Sequence, residues 1–152
     1  MDAFSEKLNA VLSAAFQSVL KLEEQMLHSM GAMRLSISEV HMLEAVGKSA
    51  SEGRSIGDLA RELSVAMPTV TIAVRKLEGK GLVQRARGAH DARTVWITLT
   101  EAGRKINRVH ARFHENMARN IAADLGDEER AVLLRSMEKL NDHFERRLIR
   151  NK

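Results

Sequence analysis

The N-terminal part of the chain has apolar residues at helical spacing and contains no Pro or Gly from Ala3 to about Met30. This pattern predicts one long first helix, ended by Gly31. Its apolar positions are Phe4, Leu8, Leu12, Ala15, Val19, Leu22 and Met26.

Three shorter helices are predicted next, each from a recognisable start. Ser36 with Glu39, and Ser55 with Asp58, have the spacing typical of capped helix N-termini. Pro68 is expected at the first position of a fourth helix, where a missing N–H is tolerated. Paired glycines follow the second and fourth helices, and the inward face of the fourth is predicted to be Val70, Val74 and Leu77.

A charged hairpin and two long helices complete the pattern. Val95, Ile97 and Leu99 alternate with polar or amphipathic residues, which predicts a two-stranded wing after Leu82 and Val83. Thr100 is expected to cap a fifth helix, and acidic residues after Gly126 indicate a sixth. The stripe of the sixth helix is Leu133, Met137, Leu140, Phe144 and Leu148.

The predicted fold is mainly α with a small β wing: a winged helix-turn-helix with about six helices. Residues 1–34 and 104–152 form the expected helical dimerisation region, and residues 35–103 the DNA-binding region, of one compact chain. The centre is too small to bury the apolar faces of three long terminal helices, so we expect a homodimer.

Composition narrows the function. The 152 residues include no Cys, which excludes disulfides and thiolate metal ligands, and no Tyr, with aromatics at 3%. A net charge of +4 favours an anionic partner, and duplex DNA suits this composition better than single strands stacked on aromatic side chains. No catalytic motif stands out, so no enzyme is expected. The acidic N-terminus and short apolar runs predict a cytoplasmic protein with no membrane partner.

The residues that suit DNA contact lie in the fourth helix and the hairpin. Threonine offers a hydroxyl to a phosphate or base edge and a methyl to thymine, and arginine at a hairpin tip suits a narrow minor groove. Asp91 is expected to orient the wing. The predicted contacts are Ser55, Met67, Pro68, Thr69, Thr71, Ile72, Arg75, Lys76, Arg85, Arg87, Asp91 and Arg93.

These motifs together resemble the MarR family of transcriptional regulators. The resemblance rests on Leu59–Val65, Pro68–Thr71, Leu77–Glu78, Gly81–Val83, Asp91–Arg93 and Leu99–Gly103. It implies a triangular homodimer, in which each recognition helix enters a major groove. Two departures leave the operator sequence open, because Ala92 replaces a common wing arginine and Ile72 stands where a basic residue is frequent.

Histidines outside this segment suggest a site for an effector. His110 and His114 are four residues apart on one helical face, the spacing with which a helix holds a metal. The resemblance to zinc-sensing MarR members implies a set made of His41, this pair and a carboxylate of the first helix. The candidate metal ligands are therefore Glu23, Glu24, His41, His110 and His114.

A second resemblance leads to a different effector. Val19–Glu24, Ile37–His41 and Val109–His114 look like the MarR branch that represses fatty-acid-biosynthesis genes. That branch implies an acyl-CoA or acyl-carrier-protein effector, with the histidines near an apolar pocket suited to flexible methionines. Its candidate lining is Met26, Met30, His41, Met42, His110 and Phe113. No cofactor is expected to be required.

Overall fold

Six helices and three short strands make up most of the part of the chain that the computed structural model describes, residues 2–30, 35–49, 53–87 and 94–150. The fold class predicted from the sequence is confirmed. In chain order the elements are α1 (Ala3–Ser29), α2 (Ile37–Gly47), β1 (Arg54–Ser55), α3 (Ile56–Leu63), α4 (Met67–Gly79), β2 (Val83–Arg87), β3 (Val95–Leu99), α5 (Glu101–Ala123) and α6 (Asp127–Arg150).

The helices begin where capping chemistry predicts, with one shift. Ser36 and Glu39 form a full capping box, in which the Ser36 hydroxyl accepts from the Glu39 N–H at 3.2 Å and the Glu39 carboxylate accepts from the Ser36 N–H at 2.9 Å. The Ser55 hydroxyl accepts the Asp58 N–H at 3.1 Å. Helix α4 starts one residue before Pro68, because the extended backbone of Ala66 provides its N-cap. Pro68 is also tolerated at the second position, where no N–H is needed.

The sheet is antiparallel with strand order β1-β3-β2. The predicted hairpin pairs Val83 with Leu99 and Arg87 with Val95. The sequence did not predict β1, which adds a third strand by pairing Arg54 with Ile97. Two residues are too short for an alternating pattern, so only the tertiary structure reveals this strand.

One core joins α2, α3, α4, the sheet and the start of α5. Leu43, Leu59, Leu77 and Ile97 have no exposed surface at all. The buried members of this core are Met42, Leu43, Ala45, Val46, Leu59, Ala60, Val70, Val74, Leu77, Leu82, Val83, Ile97, Leu99 and Ile106.

The start of α5 fits closely against the turn after α4. The Thr100 N–H donates to the Leu82 carbonyl at 3.0 Å, and its hydroxyl donates to the Gly81 carbonyl at 2.6 Å and accepts the Gly103 N–H at 3.1 Å. A Cβ on Gly103 would overlap the Leu82 carbonyl oxygen. Gly103 is therefore required by close backbone contact rather than by its conformation.

The chain divides into two compact units, Met1–Phe113 and His114–Lys152. The second consists of the end of α5 and of α6, with Arg130 donating from Nε to the Ala122 carbonyl at 2.9 Å. The predicted division into a dimerisation region and residues 35–103 stays a prediction. Within the described ranges, no helix combines the length and apolar character that a bilayer span requires.

We predict that Gly103→Ala destabilises the protein, because the added methyl meets backbone that cannot move aside. Overpacking of this kind costs about 1–3 kcal/mol. Gly79→Ala is the matched control, since a Cβ there has no neighbour within 4 Å and alanine favours a helix. Urea unfolding of both variants checks this; equal stability of Gly103→Ala and wild type would contradict it.

Candidate nucleic-acid interface

A tight turn sets the direction of α4 relative to α3. Ser64 has a positive φ of 54°, and its N–H donates to the carbonyls of Ala60 and Arg61. The Val65 N–H donates to the Ala60 carbonyl at 3.1 Å. These bonds satisfy two of the last four carbonyls of α3 and turn the chain within three residues. The result is a helix-turn-helix.

Helix α4 has one buried and one open face. Val70, Val74 and Leu77 are fully buried. At about 100° per residue, Pro68 and Ile72 lie on the opposite side of the helix. Every predicted DNA contact in α4 except the half-buried Thr71 is exposed: Met67, Pro68, Thr69, Ile72, Arg75 and Lys76.

Thr71 uses its hydroxyl within the helix. Its Oγ1 donates to the Met67 carbonyl at 3.0 Å, one turn earlier. The proton of this hydroxyl is therefore committed, and the oxygen lone pairs and the γ-methyl are what Thr71 offers to a ligand. The sequence predicted contacts through both the hydroxyl and the methyl of threonine.

An ion pair fixes the end of α4 to the start of α2. The Lys80 ammonium lies 2.8 Å from both carboxylate oxygens of Glu39, whose side chain is 13% exposed. Burial raises the pKa of Glu39, but the hydrogen bond and charge of Lys80, together with the Ser36 N–H, outweigh burial and leave this pKa below its usual value. Glu39 thus caps one helix and holds another.

A second ion-pair network holds α3. Glu62 lies 2.7 Å from both the Lys48 ammonium and the Arg54 guanidinium. Hydrogen bonding from Lys48, followed by that from Arg54, lowers the pKa of Glu62 although burial acts against them. Arg54 also donates to the Ala45 carbonyl at 3.1 Å. This network connects α3 to the end of α2 and to β1, and the sequence analysis did not identify it.

The wing residues divide into three groups. Arg85 lies 3.1 Å from Glu78, so this predicted DNA contact also links β2 to the end of α4. Arg87 is the last residue of β2 and pairs with Val95. Asp91 and Arg93 lie outside the described residues.

Ser55, the remaining predicted DNA contact, primarily caps α3, since its hydroxyl donates to the Asp58 carboxylate at 2.7 Å.

A polar cluster lies inside the first unit, between α1, α2 and α5. Glu23 and His110 are 3% and 2% exposed, and His110 Nε2 lies 3.1 Å from Glu23 Oε1. His41 Nε2 lies 3.6 Å from the same oxygen, and Glu44 Oε2 lies 3.7 Å from His110 Nδ1. Buried polar groups need such partners. Glu44 is a member that the sequence analysis missed.

The cluster has a donor set that a divalent metal accepts. Ligand atoms of Glu23, His41 and His110 all lie within 4.8 Å of one another. Zinc bonds of about 2.0–2.1 Å in a tetrahedron separate ligand atoms by roughly 3.3 Å. The two measured distances to Glu23 bracket this value, and the His41 side chain is 45% exposed, which opens the cluster to solvent. Three side chains that could supply zinc ligands are therefore close together.

The remaining candidate effector residues are spread over several environments. Glu24 is exposed, so it and the adjacent Glu23 face different directions on α1. Met42 belongs to the core, while Met26, Met30 and Phe113 are half-buried. His114 is the first residue of the second unit. The grouping of these residues into one pocket stays a prediction.

The geometry defines a class of protein, a winged helix-turn-helix regulator. A family model described as transcriptional regulator SarA/Rot matches residues 26–108, slightly more than half of the chain. The chain belongs to this family of transcriptional regulators, and its fold is that of MarR-type regulators. The predictions of a MarR-type regulator rather than an enzyme are confirmed.

Individual relatives agree with this assignment. FabT of Streptococcus pneumoniae, solved in complex with DNA, is 33% identical, with a TM-score of 0.85 over 93% of this chain and 97% of that one. YwhA of Bacillus subtilis, an uncharacterised helix-turn-helix regulator, is 31% identical over 57% of this chain and 62% of its own length. ZitR of Lactococcus lactis is 26% identical over 74% and 77%. The chain spans less than two thirds of the first curated relatives that it matches.

We predict that Glu39→Gln weakens the hold on α4 and lowers the free energy of unfolding at pH 7 by about 1 kcal/mol, as expected for a part-buried ion pair. Because the folded pKa of Glu39 is lowered, its contribution is present above the unfolded pKa and is lost as the pH falls through the folded value. The difference from wild type should therefore shrink toward pH 3 in urea titrations.

Glu138→Gln provides the control for Glu39→Gln, because Glu138 is exposed on α6. A Glu39→Gln effect that is independent of pH would contradict this explanation.

Proposed function

We propose that this protein is a DNA-binding repressor that acts as a cytoplasmic homodimer on a pseudo-palindromic operator. Each α4 enters a major groove and each wing approaches the adjacent minor groove. Two-fold symmetry requires half-site centres about 10 base pairs, or roughly 34 Å, apart. The FabT structure in complex with DNA supports DNA as the partner.

The proposed dimer is supported by the apolar side chains that the terminal helices expose to solvent. On α1, Phe4 is 74% exposed, Leu8 42% and Val11 57%. On α6, Met137 is 52% exposed, Phe144 42% and Leu148 58%. Residues at this spacing form a continuous stripe, and stripes of this size in water favour association. A second copy of the chain offers the same apolar faces.

We predict that Phe144→Glu converts the dimer to monomer and weakens operator binding, because it places a charge in the apolar stripe of α6. The matched control is Ala131→Glu, which adds the same charge on nearly the opposite side of the same helix. Sedimentation equilibrium gives the mass, and fluorescence anisotropy on a selected duplex gives the affinity. Dimeric Phe144→Glu with wild-type affinity would contradict the proposed interface.

For the effector, we propose that the interior of the first unit binds the regulating ligand. The acyl effector, with control of fatty-acid biosynthesis, is favoured by the resemblance of α1, α2 and α5 to that branch and by the half-buried Met26 and Met30. Such a ligand changes DNA binding only through its different affinity for the two states of the dimer.

A second candidate effector is zinc, favoured by the positions of Glu23, His41 and His110. In this arrangement Glu23 would supply the carboxylate and the histidines would supply nitrogen. A zinc ion would contribute a fixed charge and a connection between α1, α2 and α5.

We predict that one of these two ligands changes operator affinity at least fivefold, the lower range of allosteric coupling. Anisotropy titrations compare chelated protein, protein with zinc and protein with a long-chain acyl-CoA. A zinc effect should disappear in His110→Ala and persist in His28→Ala, whose histidine is exposed on α1. Unchanged affinity at saturating zinc and at saturating acyl-CoA would contradict both effectors.

A further inference from the structure

The outward surface of the helix-turn-helix is apolar at the end nearest the turn. Ile72 is 56% exposed, Met67 55% and Val65 39%. Single exposed apolar residues are ordinary on any protein. Here three of them lie within eight positions along the turn and the first half of α4, in the element proposed to enter the major groove.

We propose that Val65, Met67, Ile72 and the methyl of Thr71, together the apolar reading surface, recognise the C5-methyl groups of thymines. This rests on the proposed binding of DNA through α4 and names what α4 reads. The thymine methyl is the apolar group that the major groove presents on its base edges. Operator specificity then depends chiefly on methyl contacts rather than on hydrogen bonds.

The side chains at this end of α4 offer little hydrogen bonding. Met67 offers only a weak thioether acceptor, while Pro68 and Ile72 have no polar side-chain atom. Thr71 already donates its hydroxyl proton to the Met67 carbonyl. Thr69 is exposed and supplies a hydroxyl, one polar group among several apolar ones. An arginine or an asparagine, which read guanine or adenine with paired hydrogen bonds, is absent from positions 65–72.

The charges around the apolar reading surface favour DNA over a protein partner. Arg75 and Lys76 are exposed one turn further along α4. Arg61 on α3, which pairs with Asp58, has a side chain that is 78% exposed. Cations that border an apolar strip match the phosphates that border a groove. Thymine methyls provide the apolar floor between those phosphates.

The experiment replaces thymines by deoxyuridine in a duplex selected by the full-length protein. Deoxyuridine keeps the base pair and removes only the methyl. Burying one such group is worth about 0.8 kcal/mol, so each contacted thymine should cost about fourfold in affinity. Ile72→Ala should reduce this cost, whereas Lys76→Ala should keep it and instead flatten the salt dependence. Thermal unfolding of both variants verifies the fold.

The outcomes separate the two levels of the proposal. In one outcome, the wild-type protein binds the thymine and deoxyuridine duplexes with equal affinity while Lys76→Ala still weakens binding. That result would overturn the recognition of thymine methyls but would still place α4 in the groove. If both variants keep wild-type affinity and salt dependence, α4 does not contact the groove, and the proposed function is overturned as well. Failure to select any duplex would instead favour a protein partner for this surface and would likewise overturn the inference.

Discussion

The burial of one face of α4 is the interaction on which the first unit depends. Val70, Val74 and Leu77 have no exposed surface and belong to the same core as Leu59 and Ile97. Each such side chain contributes about 1.5–3 kcal/mol, more than an exposed ion pair. Because α4 cannot rotate without exposing them, the same burial determines that Pro68 and Ile72 face outward. Core packing and the chemistry of the open surface are thus two consequences of one helical pattern.

Ion pairs around α4 add orientation to this stability. Glu39 with Lys80 fixes the end of the helix, and Glu78 with Arg85 links it to the wing. Part-buried and exposed pairs of this kind are worth at most about 1 kcal/mol each. They nevertheless restrict how the hairpin lies relative to α4. In the proposed DNA complex, a phosphate that approaches Arg85 would have to share its guanidinium with Glu78, which would couple the position of the wing to DNA binding.

The sequence predicted those features that depend on local chemistry. The capping patterns, the glycines and the apolar helical stripes were sufficient to predict six helices and the hairpin. The order of the motifs was sufficient to predict the family. It did not distinguish Glu23 from Glu24, because adjacent residues of a helix differ in exposure only once a neighbour packs against one of them. It also missed β1, the Glu62 network and Glu44. All three depend on residues brought together from different helices and strands.

The interior cluster is the place from which the proposed effector would influence α4. The buried side chains of Glu23 on α1 and His110 on α5 contact each other. His41 of α2 approaches the same Glu23 oxygen. Breaking such a contact leaves a buried charge or donor without its partner, which costs about 1–3 kcal/mol or more. The proposed ligand would replace this contact. It would thereby change the stability of α1, which carries exposed apolar residues of the proposed subunit interface, and of α2, which Glu39 links to the end of α4. In the proposed regulator, one site would thus affect both the subunit interface and the orientation of α4.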